Sequence, residues 1–160
     1  MNNRMHVAPG LKDNTRNAMI DLLNARLADG IDLRLAVKQA HWNVRGPAFI
    51  AVHELFDAVA LRLADHIDTM AERVVQLGGT AGGTIQIVGK QSSLEPYPVG
   101  IRGQDEHVRA VSDRMEKFAL ACREAIDEAE AAGDADSADI LTGVSRELDK
   151  DLWFVSAHLG

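Results

Sequence analysis

The stretch FIAVHELFDAVALRLADHIDTMAERVVQL, residues 49–77, decides how the rest of the chain is read. Phe49, Val52, Phe56, Val59, Leu63, Ile67, Met70, Val74 and Leu77 recur at steps of three and four, the pattern of one long helix with a continuous apolar stripe. Gly46-Pro47 opens the segment, proline being suited to the first helical position, and Gly78-Gly79 closes it. Its polar residues are also spaced. His53 and Asp57 stand four apart, as do Asp68 and Glu72, so each pair projects from one face. Asp57 to Asp68 is a step of eleven residues, close to a whole number of turns at ~3.6 residues each, which puts both pairs on the same face. Ala60, Leu61, Ala64 and Ala71 are expected on that face as well.

Imidazoles and carboxylates on one helical face suggest a metal site, but eleven residues of helix is roughly 16 Å at ~1.5 Å per residue. Metal–ligand bonds are only about 2 Å long. One helix cannot bring both pairs to one ion. If the same helix of a second subunit packs antiparallel about a two-fold axis near Arg62 and Leu63, His53 and Asp57 of one chain face Asp68 and Glu72 of the other. Two identical sites then form, as an isologous interface requires. His41, just before the turn Asn43 to Pro47, is within reach of the same place. Mixed nitrogen and oxygen ligands suit Fe(II) better than Mg or Ca, and leave Zn and Mn open. Taken alone, a His–Asp pair on a helix is more often a surface salt bridge than a ligand set. The alignment of two pairs is what favours the metal reading.

Outward from this segment, three more helical patterns follow. Ile20, Leu23, Leu27, Ile31 and Leu35 mark one before it, with Asp13 and Asn14 as N-cap candidates. Val108, Val111, Met115, Phe118, Cys122, Ala125 and Ala129 mark another, ended by Gly133. Leu141, Val144, Leu148, Leu152, Val155 and Leu159 mark the last, with Asp134, Asp136 and Ser137 near its start. The connection from Gly78 to Gly103 is long for a compact domain and implies a crossover. Thr84 to Lys90 within it has room for a short helix, and Glu95 to Pro98 reads as extended. The expectation is an all-α four-helix bundle with a short extra helix between the second and third long ones: a flexible tail over residues 1–12 and one domain over 13–160.

The 160 residues make one domain, and its net charge of −7 makes it a poor general binder of nucleic acid and an attractor of cations. A single cysteine, Cys122, excludes an internal disulfide and a thiolate cluster, and its place on an apolar stripe predicts a buried, inert thiol. Met1 to Gly10 lack the apolar core of a signal peptide and charges interrupt every apolar run, so a soluble, cytoplasmic protein is expected, without a membrane partner.

Lys38-Gln39-Ala40-His41-Trp42-Asn43-Val44-Arg45-Gly46, His53-Glu54-Leu55-Phe56-Asp57 and Asp68-Thr69-Met70-Ala71-Glu72-Arg73 together resemble the Dps family of mini-ferritins, within the ferritin-like superfamily. Ser92 to Pro98, Ala138-Asp139-Ile140-Leu141 and Asp149 to Phe154 resemble its later regions, so the likeness runs from Asn14 to Ala157. The resemblance implies a hollow homododecamer that oxidises Fe(II), usually with hydrogen peroxide and otherwise with O2, and stores Fe(III) inside. It implies one or two irons per shared site, held by His41, His53 and Asp57 of one subunit and Asp68 and Glu72 of its partner, with Trp42 close by. All five ligand positions are filled here. It also implies acidic three-fold pores. Between Arg123 and Arg146 the charged residues are all acidic, and Asp134 and Asp139 are the candidates for iron entry. The plainer reading of those carboxylates is a solvated helix end.

Other features read as structural. His6, His107 and His158 are expected to be surface histidines, and Asp65-His66 a surface polar pair. The glycine-rich run from Gly78 to Thr84 lacks Gly-Lys-Ser/Thr and follows a helix, so it is a hinge and not a phosphate loop. His53 to Asp57 approximates the zinc-protease helix, but Asp57 stands where a second histidine is needed. The competing functional reading is a nucleoid-compacting, DNA-binding structural protein with a secondary metal site. The N-terminus offers only Arg4, Lys12 and Arg16 as cations, so direct DNA contact is expected to be weak. A third reading is a non-catalytic helical oligomer whose five aligned residues coincide by chance.

Overall fold

The computed structural model describes residues 7–159. Among the described residues the chain forms five helices and no strand: α1 (Asp13–Asn43), α2 (Phe49–Gln76), α3 (Ile85–Gln91), α4 (Gln104–Ala132) and α5 (Ala135–Ser156). The four long helices are the ones expected, and the short one in the connection is α3. α1 packs on α2, and α4 on α5; the two pairs meet through α1 against α4 and α2 against α5. Their apolar stripes meet in one core that holds Phe56, Leu63, Met70, Met115, Phe118 and Leu148. No helix is long and apolar enough to cross a membrane among the described residues.

The connection crosses the whole bundle. α4 begins where α2 begins: Arg45 and Gly103 form a parallel bridge, and Arg45 N–H donates to the Arg102 carbonyl at 3.0 Å. Gln104 Oε1 accepts from Ala48 N–H at 3.0 Å. At Gly46 the chains approach so closely that a Cβ there would lie 2.6 Å from the Gln104 Cβ. On its way the connection is held by side chains of α1 and α4. Asn24 accepts from Gly82 N–H (2.9 Å), Asp29 from Ser93 N–H (2.6 Å), and Asp32 from the Ser92 hydroxyl (2.6 Å). Arg114 of α4 donates to the Glu95 and Pro96 carbonyls. α3 is thus about two turns of helix in a strap that is otherwise pinned by partly buried polar contacts.

Two arginines of α2 clamp α5. Arg62 donates to Asp151 at 2.5–3.1 Å and lies 3.3 Å from Glu147. Arg73, buried, donates to Asp134 (2.7 Å) and to the Ser137 hydroxyl (3.0 Å). Asp134 is the N-cap of α5, its carboxylate accepting from Ser137 N–H at 3.1 Å. The α4–α5 turn passes through Gly133 at φ 79°, a left-handed conformation suited to glycine.

Several local expectations need correction. α1 is capped by Lys12 without a side-chain bond, because Asp13 pairs with Arg16 instead. α2 starts at Phe49, after a turn through Pro47 and Ala48. The segment expected to be a loose tail through residue 12 is docked from Val7 on: Ala8 N–H donates to the Gln76 carbonyl at 2.9 Å, and Ala8 and Leu11 pack on the core. The rest of that tail, and His6, lie outside the described residues. His107 is not a surface histidine; it is 1% exposed, because the strap covers the head of α4. His66 is half-buried between α2 and α5, and His158 is half-buried too. Cys122 is buried as expected, and burial pushes its thiol pKa up to about 12.

Breaking a buried ion pair from one side strands the other charge. Asp134→Ala is expected to lower stability by about 3–5 kcal/mol, since it leaves Arg73 without its carboxylate. Exposed Asp139→Ala is expected to change it by less than about 0.5 kcal/mol. Urea unfolding at one fixed protein concentration compares the two, and equal midpoints would contradict the clamp.

Candidate metal centre

His41 sits in the last turn of α1 and His53 in the second turn of α2, so the short α1–α2 turn brings them together. Their rings stack at 3.7 Å between centroids, 18° from parallel. Each Nδ1 lies 2.7 Å from the backbone carbonyl oxygen of the other histidine. A carbonyl accepts only, so in each ring Nδ1 carries the proton and donates. Nε2 of both rings is then a bare lone pair, the form that binds metal, with the ring aimed by the carbonyl. Phe49 packs on His53 at 5.0 Å between ring centroids.

Asp57, one turn beyond His53, is half-buried and takes an ion pair from Lys38 of α1, with Nζ 2.6 Å from Oδ1. The Lys38 hydrogen bond holds the Asp57 carboxyl below its ordinary range, opposed by some desolvation and helped by the charge of Lys38. The same ammonium lies 5.6 Å over the Trp42 ring, which is 66% exposed beside the site. Lys38 is a residue that sequence reasoning quoted but gave no role. Its position four before Trp42 and three before His41 carried the signal.

Asp68 and Glu72 are exposed and lie down the same helix, away from this group. Asp68 lines a cavity of about 360 Å³ with Ile31, Arg34, Ala64, Ile67 and Ala71. Glu72 lines a neighbouring one of about 450 Å³ with Val75, Gln76 and Ala81. Within one chain no three His, Cys, Asp or Glu side chains converge on a metal-binding point among the described residues. The five candidates therefore fall into two groups, His41, His53 and Asp57 in one, and Asp68 and Glu72 in the other. Between the groups the surface is Leu61, 62% exposed, and Ala64. Of the two residues expected near the two-fold axis, Leu63 points into the core and Arg62 reaches to α5. Ala60 is likewise buried, not on the exposed face.

The two pore candidates separate. Asp134 is 2% exposed with its carboxylate taken by Arg73 and Ser137, so it presents no free charge to solvent. Asp139 is exposed and lines a cavity of about 400 Å³ with Glu130 and Thr142.

The chain matches the ferritin-like domain model over residues 20–160. It is 50% identical over 149 residues to a DNA protection during starvation protein of Agrobacterium fabrum, covering 93% of this chain and 92% of the relative. It is 34% identical to the fine tangled pili major subunit of Haemophilus ducreyi, over 98% of this chain and 82% of that one. Among solved structures, the tetragonal form of Mycobacterium smegmatis Dps superposes with a TM-score of 0.92 at 35% identity, covering 97% of this chain and 94% of that chain. Helix order, crossover and sequence agree with these relatives along nearly the whole length: the chain belongs to the Dps family of ferritin-like proteins.

Proposed function

We propose that this protein is a ferroxidase that assembles into a cage, most simply a dodecamer built from two-fold dimers, and stores the Fe(III) it makes in the cavity. The observation that carries the proposal is the division of five potential iron ligands into two groups spaced along one helix, α2, with His41 of α1 brought to the first group by the α1–α2 turn. Two Nε2 lone pairs and the Asp57 carboxylate form one half-site; Asp68 and Glu72 form the other. An antiparallel copy of α2 puts residue 53 opposite 72 and 57 opposite 68, with Leu61 and Ala64 of the two chains packed between. Two such half-sites have the donors for one or two Fe(II), which is the substrate, or for Zn or Mn in its place.

In the reaction two Fe(II) each give one electron to hydrogen peroxide, whose O–O bond breaks. With two protons taken up, the products are two Fe(III) and two waters. No one-electron cleavage occurs, so no hydroxyl radical is released. O2 serves as the slower oxidant. The name of the Agrobacterium relative refers to DNA protection during starvation. Removal of Fe(II) and peroxide protects DNA without touching it, and a cytoplasmic place of action follows from that role. Direct DNA compaction has less support: of the N-terminal cations, Arg16 is tied to the Leu11 carbonyl and Asp13.

A shared site has a specific genetic signature. His53→Ala and Asp68→Ala proteins are each expected to lose Fe(II) oxidation by peroxide under anaerobic mixing. Co-assembled in equal amounts, half the dimers are mixed and each mixed dimer regains one intact site of two, so about one quarter of wild-type activity returns. No recovery would place all five residues at a site within one chain or at none. A large particle with wild-type oxidation in both variants would move the function to DNA binding or another metal. Lys38 competes with metal for Asp57, so Lys38→Met is expected to bind Co(II) more tightly by visible absorbance. An unchanged or weaker affinity would make Lys38 a structural partner only.

A further inference from the structure

The strap that carries the chain from α2 to α4 closes on a single buried imidazole. His107, in the first turn of α4, is 1% exposed, with Nδ1 2.7 Å from the Tyr97 hydroxyl oxygen and the two rings stacked at 6.1 Å. Nε2 is buried and has no hydrogen-bond partner of proper geometry. The Arg114 guanidinium also lies over the Tyr97 ring, 5.0 Å from its centroid. Beyond Tyr97 the strap runs to Arg102, whose carbonyl holds Arg45 N–H, and to Gln104, which holds Ala48 N–H. The turn between His41 and His53 is thus secured by a segment that His107, together with Arg114, ties to the head of α4.

We propose that His107 is a pH-sensitive latch: taking up a proton, it releases residues 95–101 of the strap from the head of α4 and loosens the turn at Arg45–Ala48. A neutral imidazole needs one donor and one acceptor contact, and Tyr97 supplies either. An imidazolium carries two N–H groups. The Tyr97 oxygen accepts one, and the Nε2 proton, buried, meets no acceptor of proper geometry, the Ile101 carbonyl pulling on it less than burial opposes it. Burial accordingly lowers the His107 pKa, against smaller pulls from the Glu106 carboxylate and the Ile101 backbone; no charged side chain of α1, α2 or α5 acts on it among the described residues. The sign follows by linkage. The closed form binds fewer protons than the open form below the ordinary histidine pKa of ~6.5, so closure is complete above that pH and is lost as pH falls through it. His41 and His53 take no part in this argument.

The test is amide hydrogen exchange of the assembled wild-type protein at pH 7.5 and 5.5, corrected for intrinsic rates and read in peptides covering residues 93–102. Opening that requires an unperturbed imidazolium becomes up to about tenfold more favourable over that interval, the full factor applying when closed-state His107 stays neutral at pH 5.5, and protection of the strap falls accordingly. In His107→Asn, which has no imidazole to protonate, protection in the strap is expected to be equal at the two pH values. Exchange at the imidazole C2 position of the wild type reads the midpoint of His107 itself, expected below ~6.5, and decides the matter if the variant does not fold. Equal protection at both pH values in the wild type overturns the latch. So does the same tenfold loss in His107→Asn, or a His107 midpoint at or above that of free histidine.

Discussion

A straight helix fixes the distance between its side chains, and no rearrangement of the other helices can alter it. α2 carries two pairs of metal-competent residues about 16 Å apart on one face, and that separation governs what the remainder of the fold must do. The helix has to be satisfied by its own chain on every other side. Its apolar stripe goes into the core against α1, and Arg62 and Arg73 reach round to carboxylates of α5. What is left over is a strip of Leu61, Ala64, Asp68 and Glu72 that the chain does not bury in its own core. An apolar centre flanked by donor groups of complementary character suits a copy of itself turned end for end.

The crossover serves the same end from the other side of the bundle. Because α4 must start beside the start of α2, the chain returns the length of the molecule and delivers Arg102, Gly103 and Gln104 to the α1–α2 turn. That turn is the place where two imidazoles hold one another through their backbone carbonyls. Neither ring is held by a side-chain hydrogen bond, so the backbone carbonyls set the orientation of both. A glycine at 46 is required where the α4 head presses against it.

The four long helices were legible because apolar residues recur at helical steps without interruption; the short one, expected over residues 84–90, lies at Ile85–Gln91. The division of the five candidate ligands into two groups within one chain was legible too, since rise per residue does not depend on context. What the sequence hid was tertiary. The polar run Gln104 to His107 reads as surface, yet the strap lies over it and buries His107. Asp134 reads as one more member of an acidic cluster, yet Arg73, sixty-one residues away in sequence, draws it inside. Val7 to Lys12 has no periodicity, and a bond to Gln76 docks it. A helical face drawn from spacing alone is also too wide. Ala60, at its edge, turns inward and packs in the core.

Cys122 carries a different consequence. Its sulfur lies in the middle of the α4 stripe, and at a pKa of about 12 almost none of it is thiolate at neutral pH. Oxidants and alkylating reagents that act on thiolate therefore find nothing to attack while the four helices remain together. With no second cysteine to confuse the signal, the thiol is a clock built into the core: the rate at which it is modified is the rate at which the bundle comes apart.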